Sequence, residues 1–174
     1  MKQAELQEAL LNELRTALAA QGYSRRQQTF AREGGDVRWL AHVAFIRHAD
    51  DVDLTLDVAV RHHAVEDRLE RSRALLKPAE RLWTATAGVE LGNYADHRQH
   101  RWTLRTPEDV KPVAQDVLAW FHRFGIGFLE RFSSLTELLR VLEDDAEGRL
   151  ICPLADVRAE VIEVARAIIR ERAA

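Results

Sequence analysis

The chain has 174 residues, of which 47% are apolar and 30% are charged, with a formal net charge of −3. It is therefore long and apolar enough to bury a core without disulfides or metals, and we expect a single domain over residues 1–174. Dedicated nucleic-acid-binding domains usually carry a basic balance, so the acidic charge argues against nucleic acid as a partner.

The sequence has a single cysteine, Cys152, and no recognisable targeting or membrane segment. No intramolecular disulfide can form, the polar first residues lack the apolar core of a signal peptide, and no apolar run reaches the roughly 18 residues that cross a bilayer. We therefore expect a cytoplasmic protein without membrane contact. Cys152 precedes Pro153 at a predicted helix start, which could activate the thiol, but a lone cysteine is more often a small buried hydrophobe.

The first predicted element is a helix. Its apolar residues recur at spacings of three and four and form one stripe: Leu6, Ala9, Leu10, Leu14, Ala17 and Leu18. Gly22 then supplies a left-handed stop.

An alternating pattern with a period of two follows the first helix and predicts two paired strands. Apolar residues occupy every second position in both runs: Val37, Trp39, Ala41, Val43 and Phe45, then Val52, Leu54, Leu56, Val58 and Val60. Residues 28–32 form a plausible earlier strand that ends at Gly34-Gly35. The pattern predicts an α+β fold, with an antiparallel sheet of about four to five strands covered on one face by N-terminal and C-terminal helices.

The rest of the chain is predicted to be mainly helical, with two more strands. The predicted elements are a short surface helix within residues 62–80 that ends before Pro78, strands at 83–94 and 100–105 joined by a turn at 95–99, and helices that start at Thr106, at Ser134 and after Pro153. The broad apolar stripe of the last helix, 154–172, leaves internal packing and a homodimer interface both open.

The order of these segments resembles a bacterial family of small domains catalogued as domain of unknown function 4304. The resemblance is carried by QGYSRR at 21–26, TFAR at 29–32, LDVAV at 56–60, RWTL at 101–104 and GFLERFSSL at 127–135, and it covers most of residues 5–143. It implies an α+β fold with an antiparallel sheet. It implies no activity and no catalytic residues, and the last helix falls outside it.

The hairpin contains the first candidate site. A tight turn at Ala49-Asp50 that aligns the two apolar faces places His42 opposite Asp57 and Arg38 opposite Arg61. An aspartate beside a histidine can orient the imidazole and raise its pKa, as general-base catalysis requires. The alternative interpretation is an ordinary cross-strand ion pair.

Two further sets of residues are weaker candidates. His97 and His100 flank a turn and are compatible with a metal ion, although no carboxylate or cysteine accompanies them at diagnostic spacing. Arg101, Trp102 and Arg105 combine residue types that dominate binding hot spots or stack on bases.

Short catalytic motifs such as the P-loop and the nucleophile elbow are missing from the sequence. Our first hypothesis is a non-enzymatic, immunity-like protein-binding or regulatory domain without catalytic residues or cofactors. The alternative is a small-ligand-binding protein or hydrolase-like enzyme, in which His42, Asp57 and one of His62 or His63 line a cleft on the polar face of the sheet. The third hypothesis is a single-stranded nucleic-acid binder that uses Arg101, Trp102 and Arg105.

Overall fold

The computed structural model describes residues 2–77, Glu80 and 83–174. Its strands are β1 Ser24–Arg26, β2 Thr29–Gly34, β3 Val37–Arg47, β4 Val52–His62, β5 Ala87–Glu90 and β6 Trp102–Leu104. Its helices, within the described ranges, are α1 Gln3–Ala19, α2 His63–Glu66, α3 Leu91–Asp96, α4 Val110–Trp120, α5 Ile126–Phe132, α6 Leu135–Leu142, α7 Asp145–Ile151 and α8 Ala155–Ala173. None of these helices has the length and apolar character that crossing a membrane requires.

The helix ends follow local sequence signals. Gly22 has a φ of +84°, as the predicted left-handed stop after α1 requires. Thr106 begins a 3₁₀ turn at Pro107–Asp109, where the Asp109 carboxylate accepts the backbone N–H of Thr106 at 2.8 Å, and α4 follows. Ser134 caps α6 by accepting the N–H of Glu137. The helix starts predicted at Thr106 and Ser134 are therefore confirmed.

The strands form one antiparallel sheet in the order β1-β2-β3-β4-β5, and β6 pairs with β4 beside β5. The β3–β4 hairpin is the long central element. Its register places His42 opposite Asp57 and Arg38 opposite Arg61, as the alternation of apolar residues predicts. The α+β class and the antiparallel sheet are confirmed.

Helices pack against one face of this sheet. The even residues of β4 point into the core, where Val58 is fully buried and Gly125, in the π-helical turn between α4 and α5, lies against it. Two hydrogen bonds fix the helices to the far end of this face. The Trp39 indole donates to Ser133 Oγ at 2.8 Å, and His62 Nε2 donates to the Phe132 carbonyl at 2.8 Å.

The structure departs from the prediction after β4. The helix predicted within 62–80 is a single turn, α2, and the chain then runs through turns to Lys77. Tertiary contacts account for the difference. The carboxylate of Glu66 binds Arg61 and Arg73, and the distant Glu160 accepts the backbone N–H groups of Arg71 and Ser72. The predicted helix end before Pro78 lies outside the described residues.

A second departure follows β5. The strand predicted over 83–94 is limited to Ala87–Glu90, because the Glu90 carboxylate accepts the N–H groups of Gly92 and Asn93 and so starts α3. The predicted turn at 95–99 is the end of this helix, where His97 has a φ of +57°.

The last helix packs within the molecule. Val161, Ala165 and Ile168 of α8 are buried in the core. Its polar side is fixed to the chain after α2, since the Glu160 carboxylate accepts the backbone N–H groups of Arg71 at 2.8 Å and Ser72 at 2.7 Å. The apolar stripe of α8 therefore serves the core of this chain.

Candidate functional site

The side of the sheet that faces away from the core helices is the candidate site, and we call it the polar face. Its residues come from five strands: Thr29, His42, Ala44, Ile46, Asp53, Thr55, Asp57, Ala59, Gly88, Glu90 and Thr103. Several side chains in its centre are half-buried, His42, Ala44, Asp57 and Ala59 among them. A Cβ atom at Gly88 would lie 2.7 Å from the Cβ of Ala59, so glycine keeps this part of the face flat.

Four polar side chains form a row across the polar face. Thr29, His42, Asp57 and Glu90 are successive cross-strand partners on β2, β3, β4 and β5. Thr29 Oγ1 lies 2.9 Å from His42 Nδ1. The row therefore places a hydroxyl, an imidazole and two carboxylates side by side.

Asp57 is the unusual member of this row. Burial raises the pKa of its carboxyl, His42 lowers this pKa, and the nearby Glu90 raises it. Glu90 uses its own carboxylate to cap α3, whereas no side chain or backbone group in the described part of the chain hydrogen-bonds to the Asp57 carboxylate. The ionised Asp57 carboxylate is therefore half-buried without a hydrogen bond from the described part of the chain.

Trp83 and two arginines mark the margin of the polar face. The guanidinium carbons of Arg26 and Arg38 lie 4.8 Å and 5.5 Å from the centre of the Trp83 ring. Arg26, Thr29 and Trp83 also line an open groove of about 300 Å³. The sequence did not indicate this arrangement, because Trp83 falls at the start of a predicted strand and its contacts are remote in sequence.

Ligand atoms of His48, Asp51 and Asp53 converge within 4.8 Å at the hairpin turn. Arginines already pair with both carboxylates, with Arg101 Nη1 3.8 Å from Asp53 and Arg105 Nε 3.6 Å from Asp51. The Thr103 hydroxyl also donates to Asp53, and this bond is the main cause of its lowered pKa. Two arginine side chains thus lie beside the carboxylates of this cluster.

The two predicted metal-ligating histidines have different surroundings. The His100 ring stacks on Trp120 with centroids 3.9 Å apart and meets the edge of Trp102 at 4.4 Å. His97 is exposed at the end of α3. The structure therefore places His100 in an aromatic cluster with Trp102 and Trp120.

The three predicted partner-binding residues differ in exposure: Trp102 is buried, whereas the Arg101 and Arg105 side chains are 47% and 68% exposed. Trp102 is only 6% exposed, and its indole donates to Asp116 at 2.7 Å. The Arg101 and Arg105 side chains pair with Asp53 and Asp51 of the hairpin. β6 is held by its pairing with β4, and Trp102 lies on the core side of β6.

His62, His63 and Cys152 lie outside the polar face. His62 is buried on the helix-covered face, and burial lowers its pKa. His63 Nε2 lies 3.2 Å from Glu33 at the sheet end. Cys152 is buried, as expected, and burial raises the pKa of its thiol. A raised thiol pKa disfavours the reactive thiolate.

A scan against protein-family models and searches of curated proteins and of solved structures found no match to this chain. The resemblance to the family of unknown function therefore stays a prediction.

Proposed function

We propose that the chain is a non-enzymatic protein-binding module that uses the polar face as its contact surface. The observation that supports this proposal most is the half-burial of His42, Ala44, Asp57 and Ala59 in the middle of a sheet whose core helices pack against the opposite side. A flat face with small residues and a few fixed polar groups suits a protein partner better than an enclosed small molecule.

The residue types on and beside the polar face agree with this role. Tryptophan and arginine are enriched at interface hot spots, and the guanidinium groups of Arg26 and Arg38 lie over the Trp83 ring at the margin. Asp57 is a charge kept in a half-buried position without a hydrogen-bond partner among the described residues. Such a local cost to stability is typical of a functional surface, and a basic group of the partner would offset it.

The experiment is affinity capture from lysate of the source organism with three forms of the chain as bait. The forms are the unmodified chain, Ala59→Arg in the middle of the polar face, and Ala167→Arg on the exposed side of α8 as the matched control. Thermal unfolding verifies that both variants remain folded. We expect one near-stoichiometric protein on the unmodified and Ala167→Arg baits, reduced at least about tenfold on Ala59→Arg. Equal retention on all three baits would place the contact surface elsewhere.

A second candidate function is hydrolysis by the same row of residues. The observation that favours it is the 2.9 Å contact between Thr29 Oγ1 and His42 Nδ1, with Asp57 opposite His42. A hydroxyl, a base and an acid in this order are the parts of an activated nucleophile. We place it second because hydrolysis needs N–H donors that stabilise an oxyanion intermediate. The backbone N–H groups of the central strands are already used in the sheet hydrogen bonds.

Covalent labelling tests this second candidate. A fluorophosphonate probe would modify Thr29 in the unmodified chain, and His42→Gln would abolish the reaction if His42 acts as the base. Labelling that is absent, or that His42→Gln leaves unchanged, would exclude the hydrolytic mechanism.

A further inference from the structure

A groove lies along β5 at the edge of the sheet, away from the row on the polar face. Its volume is about 230 Å³. Its walls are the backbone segment Ala85–Gly88, the side chain of Arg73, and the connection between α7 and α8 together with the first turn of α8: Ile151, Cys152, Pro153, Leu154 and Val157. β5 pairs with β4 on its inner side, so the groove borders the other edge of the strand.

Arg73 gives this groove a cationic end. Its guanidinium donates from Nε to Glu66 Oε2 at 3.0 Å and from Nη2 to Glu66 Oε1 and the Ala85 carbonyl at 3.1 Å each. Three of its five N–H donors are thus occupied, and the two on Nη1 have no hydrogen-bond partner among the described residues. The side chain is 11% exposed, and its Nη1 is not among the buried unsatisfied atoms of the described residues, so this nitrogen is reachable from solvent.

The guanidinium of Arg73 is also held rigidly. The bidentate bond to Glu66 fixes its plane, and Glu66 is in turn bound by Arg61 at 3.1 Å. A guanidinium that is already oriented loses little conformational entropy when it binds a further acceptor. The free Nη1 side is therefore preorganised for a carboxylate.

The remaining walls of the groove are apolar. Ile151 is buried, Val157 is half-buried, and Leu154 at the rim is 67% exposed. Among the described residues, Leu154 and Leu75 are the large apolar side chains that remain exposed. An alkyl chain in the groove would remove apolar area of Leu154 from water.

We propose that this groove is a binding site for a short aliphatic monocarboxylate, whose carboxylate binds Nη1 of Arg73 and whose alkyl chain lies against Ile151, Leu154 and Val157. The volume of about 230 Å³ is below the roughly 300–1,000 Å³ of sites for drug-sized ligands, which selects a small molecule. The anionic end matches a guanidinium with free donors, and the alkyl end matches the apolar rim. The site does not require the protein-binding function of the polar face, although Gly88 of β5 borders both surfaces.

The test is an NMR titration of the ¹⁵N-labelled full chain with hexanoate, with hexylammonium and acetate as comparison ligands. We expect saturable amide shifts at 85–88 and 151–157 with hexanoate. Hexylammonium lacks the negative charge and acetate lacks the long alkyl chain, so each should bind at least about tenfold more weakly. Equal binding of hexanoate and hexylammonium would overturn the role of Arg73. An absence of amide shifts in these two segments would show that hexanoate does not bind in the groove.

A pair of leucine variants makes the test specific to the groove without touching the buried Arg73–Glu66 pair. Leu154→Asp places a negative charge on the rim at a mainly exposed position, and Leu75→Asp makes the same change at a position that is 99% exposed and outside the groove lining. We expect Leu154→Asp to weaken hexanoate binding at least about tenfold and Leu75→Asp to leave it unchanged. Equal effects of the two variants would contradict the proposed position of the alkyl chain.

Discussion

Arg73 and Glu66 form a bidentate ion pair inside the molecule, with Nε–Oε2 and Nη2–Oε1 distances of 3.0 Å and 3.1 Å. The Glu66 side chain is 0% exposed, and Arg61 and the Thr84 hydroxyl complete its hydrogen bonds. The two guanidinium groups offset the free-energy cost of burying the Glu66 carboxylate only when all the partners are present. This cluster holds the chain after α2 and the residues before β5 on the same end of the sheet.

Loss of the Glu66 charge tests that role. We expect Glu66→Gln to lower the free energy of unfolding by about 3–5 kcal/mol, because two buried guanidinium groups lose their counter-ion. Urea denaturation measures the change. The matched control is Glu171→Gln, which removes the exposed pair with Arg68 and should leave the free energy of unfolding nearly unchanged, because solvent screens exposed charges. Similar costs for the two variants would show that the buried cluster does not hold the segment.

His62 is expected to make the stability of the fold depend on pH. Burial, Arg172 and His63 lower its pKa, while the Phe132 carbonyl and Asp36 raise it, and the net shift is downward. The unfolded chain therefore binds the proton more readily, so stability is complete above about pH 6.5 and falls as the pH drops below it, by at most about 1.4 kcal/mol per pH unit. Urea midpoints between pH 7.5 and 5 should fall less steeply in His62→Gln than in the unmodified chain. Equal slopes would contradict the prediction.

Asp57 and Asp53 lie on the same strand and face and should respond in opposite directions to loss of their charge. The raised pKa of Asp57 means that its ionised form destabilises the fold at neutral pH, so Asp57→Asn should raise the free energy of unfolding by about 0.5–2 kcal/mol. The lowered pKa of Asp53 means that its ionised form stabilises the fold. Asp53→Asn should therefore lower the free energy of unfolding by about 0.5–1.5 kcal/mol. Thermal unfolding at pH 7 tests both, and a stability loss in Asp57→Asn would refute the assignment.

Gly92 and Gly127 form a second matched pair. A Cβ at Gly92 would meet backbone atoms, with the Arg98 carbonyl at 2.6 Å, whereas a Cβ at Gly127 has nothing within 4 Å. Gly92→Ala should therefore destabilise the fold by about 1–3 kcal/mol, because the backbone around His100 has to move. Gly127 lies in α5, where alanine has a higher helix propensity than glycine, so Gly127→Ala should stabilise the fold by up to about 1 kcal/mol. Calorimetry distinguishes the two, and a neutral Gly92→Ala would be inconsistent with the close approach.

The central hairpin was predictable because its apolar residues alternate without interruption on both strands. A slip by one residue would expose Val43 and Val58, so the register and the pairing of His42 with Asp57 follow from the pattern. The helix caps at Thr106 and Ser134 are equally local signals. These features need no information from distant parts of the chain.

The segment after α2 was not predictable in the same way. Its conformation depends on Arg61, Glu66, Arg73 and Glu160, whose partners lie up to 89 residues away in sequence. The same holds for the site, since Trp83 reaches the polar face only because this segment folds over the end of the sheet. The contact of Thr29 with His42 also needs the pairing of β2 with β3, for which the sequence offered a weak signal.

Photo-crosslinking from the polar face in living cells tests the central claim most directly. p-Benzoylphenylalanine takes the place of the half-buried Ala44 in one form and of the exposed Ala167 on α8 in the other. We predict a discrete crosslinked protein species from position 44 that is absent from position 167 and is lost when Ala59→Arg is added. A species that forms from position 167, or that persists from position 44 in the presence of Ala59→Arg, would contradict the assignment of the polar face as the contact surface.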